Sequence, residues 1–164
     1  MNRGSDTRHA ARDIRHSFRI DASPADVAAA LSQAHHLRRW WTREAEVAGD
    51  EAILRWSGHG FEVRLRIERD RARNRVLWHC SRSNMQGTAA WEGTTIRFEL
   101  DPDPAGTRIG FTHSGYADSP CRDTCEQGWA FFVGTSLKRY LETGTGIPYP
   151  DIEDTHTLQG GDAP

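Results

Sequence analysis

The sequence predicts one α+β domain, a curved antiparallel sheet of about seven strands wrapped on a long C-terminal helix. Three observations carry this reading. Apolar and polar residues alternate in one short segment after another between Ile14 and His113, with turn residues in between. An apolar stripe at helical spacing then runs from Cys125 to Leu141. Between the first alternating segment and the rest lie two short stretches with helix-start and helical patterning.

The first strand spans Ile14 to Ile20. Ile14, His16, Phe18 and Ile20 share one face, and Arg15, Ser17 and Arg19 take the other. In DASPADV, Ser23 is a good N-cap and Pro24 fits the first helical position. Asp26 lies in the first turn, where the helix dipole favours negative charge. That helix is expected to run to about Ser32, and a second to cover Ala34 to Trp40, ending in Trp40-Trp41. Strands follow over Glu44–Val47, Ala52–Trp56, Phe61–Arg69, Arg75–Cys80, Thr94–Leu100 and Thr107–His113. The clearest is FEVRLRIER, with Phe61, Val63, Leu65 and Ile67 on one side and Glu62, Arg64, Arg66 and Glu68 on the other. The turn signals AGDE, SGHG, RARN and DPDPAGT separate strands. Such alternation belongs to antiparallel strands with one dry and one wet face.

The last element is a helix from about Arg122 to Glu142. Cys125, Trp129, Phe132, Ser136 and Tyr140 fall at spacings of three or four, and Val133, Leu137 and Leu141 broaden the stripe. Gly144 is a C-terminal stop and Pro148 follows. Roughly 20 helical residues reach about 30 Å, enough to span a sheet. Residues 1–12 and 151–164 are polar and without periodicity. The first is expected to be a disordered tail and the second a flexible C-terminal tail, around a ligand-binding domain at 13–150.

Composition narrows the function. The chain has 164 residues, and a chain of this size buries roughly 70% of its unfolded surface without help from disulfides or metals. The 21 basic and 23 acidic residues leave a net charge of −2, which disfavours a nucleic-acid partner. No apolar run approaches the roughly 20 residues of a membrane span, and no secretory signal is expected. The three cysteines, Cys80, Cys121 and Cys125, are an odd number and point to a reducing, cytoplasmic setting. Aliphatic residues are scarce, and six Trp supply much of the missing bulk.

The order of these elements, with their motifs, resembles the START/Bet v 1-like (SRPBCC) superfamily, whose fold is the helix-grip. Within it the chain is most similar to single-domain bacterial proteins of the heat-shock protein 90 ATPase activator-like family. The matching stretches are DASPADV, the Trp40-Trp41 pair, VLWHC at Val76–Cys80 and WEGTTIRFEL at Trp91–Leu100. TRIGFTHSGY at Thr107–Tyr116 and GWAFFVGTSLKRYLETGTGIPY at Gly128–Tyr149 complete them. The resemblance covers roughly Asp13 to Pro150. It implies a cavity between sheet and helix that takes small hydrophobic ligands, a stress-response association, and in some relatives cyclase or aromatase activity on polyketides. It implies no fixed catalytic motif and no cofactor.

Trp56, Trp78, Phe98, Phe111, Trp129 and Phe132 all have inward parity. Any one of them reads most simply as core. As a set, such large rings are hard to interlock without voids, so a ligand cavity is expected among them. Phe61, Ser136 and His113 join this candidate ligand-binding set, and Trp40 flanks its mouth with Trp41, the 116–120 loop and the start of the long helix. His16, His79 and Tyr140 are further polar candidates, with His79 of outward parity. His113 is the first choice for an acid or base if the protein is an enzyme, because imidazole titrates near neutrality. The plainer reading, a histidine bonded to backbone or water at a strand end, is preferred. Cys121 and Cys125, spaced i, i+4 near His113, make a weak metal pattern, and no metal is expected. His35-His36 make a poor chelate because neighbouring helical residues diverge by about 100°. Arg64, Arg66 and Arg69, interleaved with Glu62 and Glu68, read as a solvated, ion-paired outer face.

No phosphate loop, nucleophile elbow or spaced carboxylate pair is present in the sequence. The leading expectation is therefore binding of a small hydrophobic or aromatic molecule without chemistry. A polyketide cyclase/aromatase-like enzyme and a co-chaperone-like interaction module are the alternatives. An exposed sheet edge and a Trp-rich rim are compatible with a homodimer.

Overall fold

A computed structural model describes residues 13–115 and 122–153. The elements in chain order are β1 (Ile14–Ile20), α1 (Pro24–Ala30), α2 (Ala34–Trp40), β2 (Glu44–Ala48), β3 (Glu51–Trp56), β4 (Phe61–Asp70), β5 (Arg75–Ser83), β6 (Thr95–Asp103) and β7 (Gly106–Ser114). The C-terminal helix is made of α3 (Arg122–Phe131), a π-helical segment (Phe132–Leu137) and α4 (Lys138–Thr143).

All seven strands form one open antiparallel sheet in the order β1-β7-β6-β5-β4-β3-β2. The six later strands make a meander, and β1 closes it by pairing with β7, Ile14 opposite His113. β1 and β2 are its edges. The expected alternation holds: in β4, Val63, Leu65 and Ile67 are buried, as are Val76, Trp78 and Cys80 in β5. β5 continues past the predicted Cys80 to Ser83; opposite the Arg64–Leu65 step an extra β5 residue, Ser81, bulges out, and the shifted register brings Ser83 opposite Val63.

Ser23 caps α1 as expected, its hydroxyl accepting the Asp26 N–H at 3.1 Å. The helix stops at Ala30, short of the predicted Ser32. There the Leu31 carbonyl turns inward and accepts the Trp78 indole N–H at 2.9 Å. Gly144 ends α4 with a φ of 90°, a conformation that suits glycine.

The long helix is not regular. The π segment lies at Gly134, where the helix meets β1: a Cβ on Gly134 would sit 2.7 Å from the Phe18 ring. A wider turn lets the backbone pass this ring while keeping Val133, Ser136 and Leu137 buried.

The outer sheet face is an ion-paired lattice. Arg55 bridges Glu46 and Glu62 at 2.7 and 3.0 Å, and His79 of β5 reaches Glu68 of β4 at 3.0 Å. Arg64 pairs with Glu62 at 3.1 Å. These exposed pairs contribute about 0–1 kcal/mol each and chiefly keep the face wet. Among the described residues no helix is long and apolar enough to cross a membrane.

Candidate functional site

The dry face is filled by rings that interlock. Trp41 stacks on Trp78 at 4.9 Å and 9°, and on Trp40 at 5.8 Å and 11°. Trp78 meets Phe98 edge-on at 4.6 Å, and Phe98 meets Phe111 at 5.4 Å. Offset stacks and edge-to-face pairs are the favoured aromatic geometries. They solve the packing problem that the sequence posed, so the middle of the sheet–helix interface is solid.

Open space appears at one end, where β3 turns into β4 beneath the start of the long helix. It is a half-open cleft of about 380 Å³. The sheet contributes Trp56 and Phe61, with His59 in the turn between them; the helix contributes Cys125, Gly128, Trp129 and Phe132. Trp41 lies against Trp56 at 5.4 Å, and Trp91, from the loop between β5 and β6, stacks on Trp129 at 5.3 Å and 17°. The chain after the helix returns to close the wall with Tyr149, Ile152 and Glu153.

That return is anchored. The buried Ser136 hydroxyl donates to the Trp40 carbonyl at 2.6 Å and accepts the Ile147 N–H at 2.8 Å. The Tyr149 N–H donates to the Trp41 carbonyl at 2.9 Å, and its hydroxyl accepts the Gly58 N–H at 2.7 Å. At the rim His59 Nε2 donates to Glu153 at 2.6 Å, with the imidazole stacked on Phe61 at 5.5 Å.

Behind the cleft a buried relay orients two of its walls. The Trp129 indole N–H donates to His113 Nδ1 at 3.2 Å. With Nδ1 accepting, the neutral imidazole carries its proton on Nε2 and donates to Thr94 at 2.8 Å. Thr94 in turn donates to the Trp91 carbonyl at 2.6 Å. Burial lowers the His113 pKa to about 3. A neutral, doubly bonded imidazole of this kind holds Trp129 and does not exchange protons near neutrality.

Of the residues singled out in the sequence, Trp56, Phe61, Trp129 and Phe132 line the cleft. Trp40, Trp78, Phe98, Phe111, His113 and Ser136 lie outside its wall, buried in the core. Parity distinguishes inward from outward but not where along the interface a ring lies, and interlocking closes the centre. His16, half-buried, donates to the Glu126 carbonyl at 3.2 Å, and Tyr140 bonds His36 at 2.6 Å. Cys121 and the 116–120 loop lie outside the described residues. Among those described, no group of three or more His, Cys, Asp or Glu side chains is placed to hold a metal. Sequence reasoning did not assign Trp91, Met85, Tyr149 or the His59–Glu153 pair to the site. The one signal for Trp91 was a large ring in a polar, non-periodic loop.

Comparison with known proteins agrees with this architecture. The family model for Activator of Hsp90 ATPase homolog 1-like protein matches residues 21–142. The solution structure of the Aha1 dimer from Colwellia psychrerythraea is 28% identical with a TM-score of 0.68, over 82% of this chain and 98% of that one. A START superfamily protein from Mycobacterium smegmatis shares the fold at 12% identity and a TM-score of 0.59, over 81% of this chain and 99% of that one. DynU16, a protein of the dynemicin biosynthetic locus, does so at 18% and 0.60, over 82% of this chain and 49% of that one. No curated protein matches the chain. With the open seven-stranded sheet, the helix pair after β1 and the long C-terminal helix all in place, the chain belongs to the Activator of Hsp90 ATPase homolog 1-like family and has the START/Bet v 1-like fold.

Proposed function

We propose that this protein binds a small, mostly apolar aromatic molecule in the cleft between the sheet and the start of the C-terminal helix. The observation that supports it is the cleft itself: about 380 Å³, walled by Trp41, Trp56, Phe61, Trp91, Trp129 and Phe132. Ligand sites typically occupy about 300–1,000 Å³ and pair apolar walls with a few polar groups. Burying about 200 Å² of ring surface at roughly 25 cal/mol per Å² yields ~5 kcal/mol before association costs. That corresponds to sub-millimolar binding at best, so tighter affinity needs the polar rim as well.

The test is titration with 1-naphthalenemethanol, read by Trp fluorescence and by thermal stabilisation. Saturable quenching, with a melting temperature that rises with ligand concentration, supports the reading. No saturation up to millimolar probe refutes it.

A second reading, a protein-interaction module, draws on family membership and on the similarity to Aha1. It predicts stimulation of an Hsp90 ATPase on mixing, unaffected by substitutions in the cleft. A homodimer through the open edge of β1 or β2 is part of either reading and is measured by light scattering. A cyclase-like activity would have to rely on the His59–Glu153 rim, because His113 is neutral and lies behind the wall.

A further inference from the structure

The cleft has a chemical polarity that deepens the proposed function, on which this inference rests. Its floor is aromatic, and ring faces carry negative electrostatic potential. Among the described residues of the wall, Glu153 is the one carboxylate, and there is no Lys or Arg. Glu153 sits at the rim, roughly half-exposed, with His59 against one oxygen at 2.6 Å. His59 in turn stacks on Phe61 at 5.5 Å and lies 5.9 Å from Tyr149, so the carboxylate is held beside the ring floor.

We infer that the cleft selects a planar aromatic ligand bearing a protonated amine, its rings between the Trp walls and its ammonium directed at Glu153 and the adjacent ring faces. Both features act with the same sign. A cation gains from the carboxylate and from the aromatic faces together. An anionic ligand meets the carboxylate and finds no Lys or Arg in the described wall, and His59, its one basic side chain, is already turned to Glu153.

Three probes of nearly equal ring size decide it: 1-naphthylmethylamine, 1-naphthalenemethanol and 1-naphthylacetate, each titrated against the whole chain by calorimetry. The amine is expected to bind about tenfold more tightly than the alcohol, and the acetate more weakly than either. In Glu153→Gln most of the amine's advantage over the alcohol should be lost, leaving only the part due to the ring faces, while the alcohol keeps its wild-type affinity. Equal affinity of all three for the wild type, or an amine advantage undiminished in Glu153→Gln, overturns this inference and leaves the binding reading standing. Binding by none of the three overturns both.

Discussion

Acidification from pH 7.5 to pH 5 should destabilise the protein by about 2 kcal/mol through His113 alone. Burial holds the folded imidazole neutral, with its pKa lowered to about 3. In the unfolded chain the same group has an ordinary pKa of about 6.5. The unfolded state therefore binds more protons throughout this interval, and stability rises with pH. His113's contribution is complete above about pH 6.5 and is lost progressively as pH falls towards 3. At pH 5 the unfolded imidazole lies about 1.5 units below its pKa, which at 1.36 kcal/mol per unit is about 2 kcal/mol. The figure does not depend on the folded pKa so long as that lies well below 5. His36 is also lowered, by burial first and then by His35 and Arg39, and adds in the same direction. Glu44, Glu62 and Glu142 are held below the usual carboxylate range by hydrogen bonds to Ser57, Arg64 and Lys138. Their contribution fades mainly below pH 5, outside the window. Urea unfolding followed by Trp fluorescence should show the midpoint falling by about 1 M between the two pH values. In His113→Gln most of that pH dependence should vanish, whatever the variant's absolute stability. An equal fall in wild type and variant would refute the buried, neutral assignment and return His113 to consideration as an acid or base.

Ser136→Ala leaves the Trp40 carbonyl and the Ile147 N–H without their shared partner and should cost about 1–3 kcal/mol in urea unfolding. It should also weaken probe binding, because it releases the segment carrying Tyr149 and Glu153. Gly134→Ala drives a methyl to within 2.7 Å of the Phe18 ring and should destabilise by about 1–3 kcal/mol, despite alanine's better helix propensity. Phe132→Ala, at a half-buried position on the cleft wall, should weaken naphthalenemethanol roughly tenfold in a fluorescence titration, with a smaller effect on stability than the other two.

The fold was legible because its signals are local. FEVRLRIER states its own two faces, Ser23-Pro24 announces a helix start, and Gly144 a helix end. What escaped was set by contacts distant in sequence. Nothing in FFVGTSL announces a π turn; Phe18, more than a hundred residues away, accompanies it. The hydrogen-bonded run of β5 to Ser83 depends on its pairing with β4 across a bulge at Ser81, which the S-R-S pattern does not announce. The site was half legible for the same reason. Inward parity found Trp56, Trp129 and Phe132 but ranked them with Trp78 and Phe98, because alternation carries no information on position along the sheet. Trp91 belongs to no periodic segment, and Ile152 and Glu153 lie within the stretch expected as a tail. Their place in the wall follows from the Ser136 anchor, which no pattern in the sequence displays.

The tryptophans divide between a solid core and a ligand-accepting wall, and indole N–H resonances report that division directly. In a 1H–15N titration with 1-naphthalenemethanol, the indole signals of Trp56, Trp91 and Trp129 should move saturably. Those of Trp40 and Trp78, bonded to the Ala30 and Leu31 carbonyls, should stay in place. Saturable movement of Trp40 and Trp78 with the wall signals unmoved, or no saturable movement at all, would contradict it.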